Sequence, residues 1–168
     1  MAQANPGPIQ RLAQLGLRIT TALAFLAPLL TRLVIGWAFH TTGHGKIENL
    51  DRTTQFFASL NIPFPHVNAI FISYLEFVGG LLLILGLGTR IFAGLLSASM
   101  VVALITSDGK DLLPKIPTGD ATDVTSFTFL LFLIWLVLYG PGPISVDKLL
   151  SKWLGIGQPQ NSGGASAP

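Results

Sequence analysis

Four apolar stretches decide what this chain can become: Ile19–Phe39, Ala69–Leu87, Ile91–Ile105 and Val124–Tyr139. Crossing a hydrocarbon core of about 30 Å takes ~20 helical residues at 1.5 Å each. The first two stretches meet that length. The third reaches it by borrowing Thr106 and Ser107. The fourth starts near Asp123 and runs through the uncharged "FTFLLFLIWLVLY". Charged residues make up 11% of the 168 positions, where a soluble domain carries about 25%. The expected fold is all-α, an integral membrane four-helix bundle, with the lipid bilayer as its first partner.

The chain divides into a polar, interfacial segment at 1–18, a four-helix membrane domain at 19–153 and a tail at 154–168. From Ile9 to Ile19, Arg11, Gln14 and Arg18 recur at helical spacing apart from Ile9, Leu12 and Leu15. Either a short interfacial helix or a frayed terminus gives this pattern. The first apolar run exceeds the roughly 7–15 residues of a signal-peptide core and leads to no small-residue cleavage site, so it reads as a retained span. The tail, "LGIGQPQNSGGASAP", offers nothing to bury and is expected to be disordered. "GLGTR" permits only a tight turn, making the second and third helices antiparallel neighbours. An even number of spans leaves both termini on one face. With the N-terminus inside, Arg11, Arg18, Arg90, Lys148 and Lys152 are cytoplasmic, against Lys46, Arg52, Lys110 and Lys115 opposite. The bias favours N-in and C-in.

A net charge of +2 without any Lys/Arg block argues against a nucleic-acid partner. With no cysteine, the chain has no thiol exchange, thiolate zinc site or cysteine-ligated cluster. Electrons for any redox role must come from elsewhere. His40, His44 and His66 lie at span ends or in a loop, without the spacing of a haem or metal site, so neither is expected.

Two charges interrupt the apolar runs. Glu76 sits in "YLEFVGG" and Arg32 in "LLTRLVIGWAFH", and an acidic residue at the centre of a spanning helix costs roughly 2.5–3.5 kcal/mol. Arg32 lies seven residues from Phe39, and Glu76 lies seven from Ala69. Equal depth from a common loop predicts an Arg32–Glu76 pair, serving either as a register lock between helices or as the wall of a polar pocket. Gly36 and His40 continue the face of Arg32. His44, Gly45 and Lys46 read as a Gly-flanked cationic turn able to receive an anion or carbonyl, or as an ordinary helix exit with a snorkelling lysine. Small residues at Ala93/Ser97, Gly94/Ala98 and Gly79/Gly80 suit close helix packing. Arg90 and Asp147 are expected to pair on the inner face, followed by a short amphipathic segment ending at Trp153.

"RLVIGWAFHTTGHGKI", "YLEFVGGLLLILGLGTRIFA" and "GPGPISVD" together resemble the DoxX family of small bacterial four-helix membrane proteins. The likeness spans roughly residues 28–150. It matches Arg32, Gly36, Phe39, Gly45 and Lys46, then Glu76, Gly79 and Gly80, then Gly88, Thr89 and Arg90, and finally Ser145 and Asp147. Many relatives open the fourth helix with Gly–x–Glu; here the segment is "DATDVTS", where Asp123 could stand in. The resemblance implies a bacterial inner-membrane subunit, redox-associated and quinone-linked, as in thiosulfate:quinone oxidoreductase, working with a partner oxidoreductase or as a homo-oligomer. On that basis Arg32, Glu76 and His44 are the candidate catalytic groups. Lys46, with Trp37, Phe39 and Tyr74, would contact the quinone carbonyl and ring. A non-enzymatic scaffold and a small-solute or proton transporter are the competing roles.

Overall fold

The computed structural model describes residues 7–154, which are helical throughout their ordered elements. The helices are α1 (Pro8–Leu23), α2 (Leu26–Glu48), α3 (Leu50–Ser59), α4 (Pro65–Leu85), α5 (Thr89–Ala103), α6 (Gly109–Lys115), α7 (Thr125–Tyr139) and α8 (Val146–Trp153). A π turn at Leu104–Asp108 joins α5 to α6, and a 3-10 turn at Asp120–Asp123 precedes α7. The tail from residue 155 onward lies outside the described residues.

Among the described residues, three helical runs are long and apolar enough to cross a membrane: Gln14–Glu48, Pro65–Leu85 and Thr89–Lys115. α7 is a shorter apolar helix of 15 residues, about 22 Å at the helical rise. The chain is thus the all-α membrane bundle its hydropathy predicts. Its four long elements, α2, α4, α5 and α7, pack in a ring, each against the next and α7 back against α2. Every neighbour is antiparallel. Gly43 of α2 faces Phe77 while Gly36 faces Gly80 and Ile84, and Phe39 stacks obliquely on Phe129 at 5.4 Å. Ile35, Phe39, Leu83, Ala93, Leu96, Met100, Leu133 and Leu136 form the shared core.

The tightest seam runs between α2 and α4, where glycine removes the side chains that would hold two backbones apart. A Cβ on Gly43 would collide with the backbone nitrogen of Phe77, and one on Gly80 with that of His40. His40 then donates through Nδ1–H to the Phe77 carbonyl at 3.0 Å. By contrast, Gly94 of the small-residue set on α5 faces open space.

At one end of the bundle a polar knot closes the ring. α4 stops in a Schellman arrangement: Leu87 N–H donates to Leu82 O at 2.9 Å, and Gly86 N–H to Leu83 O at 3.1 Å. Gly86 and Gly88 take φ of +71° and +60°, values at which a Cβ is strained. Asp147 caps α5, accepting from Gly88 N–H at 2.7 Å and Thr89 N–H at 3.0 Å. Arg90 instead reaches the Leu138 carbonyl. The expected Arg90–Asp147 pair therefore gives way to an N-terminal cap, since bare amides at a helix start attract a carboxylate through both hydrogen bonding and the helix dipole.

Gly43→Val and Gly80→Val are expected to destabilise the bundle by about 3 kcal/mol or more, because the obstruction is backbone rather than a movable side chain. Gly94→Val should be nearly neutral. Thermal unfolding in a mild detergent, followed by size-exclusion profile, separates the two outcomes.

Candidate functional site

The first apolar run does not end at Phe39. α2 continues nine residues further to Glu48, because His40–Glu48 is polar without being helix-breaking and Gly43 within it serves the α4 contact. Gly43 sits over Glu76 and Phe77, while Gly36 sits over Gly80 and Ile84. Antiparallel register then places Arg32 beside the Gly86 turn, ten residues along α4 from Glu76, or ~15 Å. The two charges share neither height nor contact, so the expected Arg32–Glu76 pair is not formed.

Arg32 is 1% exposed and belongs to the polar knot. Its Nη2 donates to the Ile144 carbonyl at 2.6 Å, tying α2 to the segment that follows α7. Among the described residues, Nε and Nη1 have no hydrogen-bond partner, and Nη1 presses against Gly86 so closely that a Cβ there would overlap it.

Glu76 pairs instead with Lys46. The ammonium meets both carboxylate oxygens, Oε1 at 2.6 Å and Oε2 at 2.7 Å. Glu76 is 2% exposed and the Lys46 side chain 34%. Helix α2 supplies the lysine three residues beyond the Gly43 contact, which brings the stem alongside α4 with its head turned back over Glu76. The carboxylate is satisfied on both oxygens, whereas an ammonium has three N–H donors. One donor of Lys46 stays available.

This pair forms part of the wall of a cavity of about 880 Å³. Its remaining sides come from α3, the start of α4, the far half of α5, the π turn and the first turn of α7. Phe57, Phe71, Ile72, Leu75, Leu95 and Met100 make it largely apolar. Four ionisable side chains line it: Lys46, Arg52, Glu76 and Asp108. Formal charge on its walls thus cancels. Asp108 lies on the π turn and accepts a hydrogen bond from Ser126 Oγ of α7. A π turn displaces side chains from the regular helical face, an arrangement common at functional sites.

Of the candidate catalytic and quinone-contacting residues, and among the described residues, only Lys46 and Glu76 line this cavity. His44 is not in a turn; it is helical, exposed, and 3.6 Å from Glu48. Trp37 and Tyr74 face outward at 63% and 54% exposure, and Phe39 is buried in the core. None of these converges on Lys46. Asp123 sits outside, 3.9 Å from Lys115, and the carboxylate that reaches the start of α7 is Asp108. Sequence reading misses α3 altogether, although Thr53, Phe57 and Leu60 recur at helical spacing and all face the cavity.

Lys46→Met and Glu76→Leu are expected to be energetically coupled by more than ~1 kcal/mol, the double replacement costing less than the two singles added, because it leaves no lone buried charge. Arg32→Met and Glu76→Leu should add to within ~0.5 kcal/mol, as separated sites do. Equilibrium unfolding in mixed micelles measures both cycles.

A family profile described as DoxX matches residues 27–109. The chain is 32% identical over 130 residues to "Putative oxidoreductase CatD" of Bacillus subtilis (strain 168), covering 76% of this chain and 89% of that protein. It is 31% identical over 128 residues to "Inner membrane protein YphA" of Escherichia coli (strain K12), covering 71% of this chain and 87% of that protein. No solved structure gives a significant match.

Proposed function

The chain belongs to the DoxX family, and from that premise we propose that it is a redox-associated inner-membrane subunit that holds a quinone in the Lys46–Glu76 cavity and serves a partner oxidoreductase. The observation carrying this reading is the cavity itself: about 880 Å³ of mainly apolar volume whose four ionisable groups balance. That size falls within the range of small-molecule sites, about 300–1,000 Å³. Balanced walls favour a neutral amphiphile over an anion, which would meet two carboxylates as well as two cations. The free donor of Lys46 supplies a charge-assisted hydrogen bond to a carbonyl oxygen.

The fit concerns this chain's own groups. Lys46 orients the carbonyl end, Glu76 keeps Lys46 in place, and Phe57, Phe71 and Leu75 exclude water around the ring. A bound quinone would accept electrons and protons. The chain has no cysteine, and the electrons are assigned to the partner. The oxidoreductase name of the Bacillus subtilis relative supports the redox association, and the Escherichia coli relative's name supports the inner membrane. With both termini cytoplasmic, as the loop cations favour, the cavity opens towards the outer half of the bilayer and Arg32 lies towards the inner.

Calorimetric titration of the protein in lipid nanodiscs with a decyl-substituted 1,4-benzoquinone tests this. Saturable binding is expected. Lys46→Met should weaken it roughly tenfold, the worth of one charge-assisted hydrogen bond, whereas Leu138→Ala at the far end of α7 should leave it unchanged. A wild-type protein that takes up neither the quinone nor its quinol beyond what empty nanodiscs take up overturns the proposal.

A further inference from the structure

Two polar groups of opposite character line the cavity from different elements. α2 and α4 present the Lys46 ammonium with a spare N–H donor. The π turn and α7 present Asp108. Ser126, itself 8% exposed, spends its hydroxyl proton on Asp108 Oδ2, as a hydroxyl does towards an acceptor. Oδ1 of Asp108 accepts from no described residue. Lys46 therefore donates and Asp108 accepts, with Arg52 of α3 the other cation on the wall.

Resting on the reading that a quinone-type ring occupies this cavity, we infer that Asp108 is a specificity-determining residue that makes the site prefer the reduced, hydroxyl-bearing form of the ligand over the diketone. A 1,4-diketone offers acceptors at both ends. Its Lys46 end is satisfied, but a second carbonyl set against Asp108 meets a carboxylate oxygen with no proton to place between them. The corresponding quinol keeps a lone pair for Lys46 at one hydroxyl and gives an O–H to Asp108 Oδ1 at the other. An unmatched polar pair in a largely apolar cavity loses affinity, because each group has left water without finding a replacement partner. Ser126 acts as a positioning residue: its bond to Oδ2 fixes the carboxylate plane and so the direction in which Oδ1 points.

Paired anaerobic titrations of the full-length protein in nanodiscs, with decyl-1,4-benzoquinone and with its quinol, decide the matter. The wild type is expected to bind the quinol at least tenfold more tightly. Asp108→Asn, which offers an amide donor as well as an acceptor, should bring the two affinities within about threefold, mainly by tightening the quinone. Ser126→Ala should shrink the preference by a smaller factor while leaving the quinone affinity in place. Equal wild-type affinities for both forms, or a preference that Asp108→Asn leaves untouched, overturn this inference without touching the cavity reading. Failure of both forms to bind overturns the cavity reading as well. Should Asp108→Asn not purify as a folded protein, the wild-type ratio and Ser126→Ala still separate these outcomes.

Discussion

The direct backbone contact between α2 and α4 sets the positions of everything else. Gly43 and Gly80 allow two helices to approach until a single Cβ would collide with main-chain nitrogen. Such a contact admits no sliding, since a shift by one residue puts a side chain where there is no room. Register fixed in this way carries Lys46 over Glu76 and Arg32 to the Gly86 turn. In lipid, where apolar surface gains little from being covered by other apolar surface, such close steric fit does much of the work that hydrophobic burial does in water.

The same register gives the two ends of the bundle different characters. One end is closed and dense: Arg32 is tied to the Ile144 carbonyl and packs on Gly86, and Asp147 accepts from the Gly88 and Thr89 amides, so each charge is committed to backbone groups. The other end is open, with α3 and the π turn spreading the helices around a cavity. A fixed end gives the open end something to be built on. The carboxylate of Asp147 binds the amides that begin α5, and α5 in turn carries the π turn that positions Asp108.

Hydropathy alone makes the spans legible, because an apolar run of some fifteen to twenty residues with at most one charge has few other uses. The presence of an anomalous Glu76 and Arg32 is equally plain. Their partners are not. The pairing of Glu76 depends on where α2 ends, and a polar helical turn from His40 to Glu48 looks like a loop when glycine is read as a breaker rather than as a contact surface. Arg32 bonds to a main-chain carbonyl 112 residues away, and a carbonyl leaves no trace in side-chain pattern. Asp108 is hidden for a third reason: a π turn shifts the helical phase, so its direction cannot be counted from either flank. Small-residue spacing is informative at Gly80 and misleading at Gly94, since the motif says that approach is possible and not which face is approached.

The division of labour between arginine and lysine follows from this architecture. A planar guanidinium with five donors suits the dense end, where the surrounding groups are fixed main chain. A lysine head is compact, rotates freely and has three donors. Against a bidentate carboxylate it uses two and keeps one. That surplus matters because the Lys46 side chain is partly exposed while Glu76 is buried: the carboxylate holds the lysine head in place beside the cavity that both residues line. A pair that had only to cancel a buried charge would satisfy both partners fully. This one satisfies the acid and leaves the base a free bond.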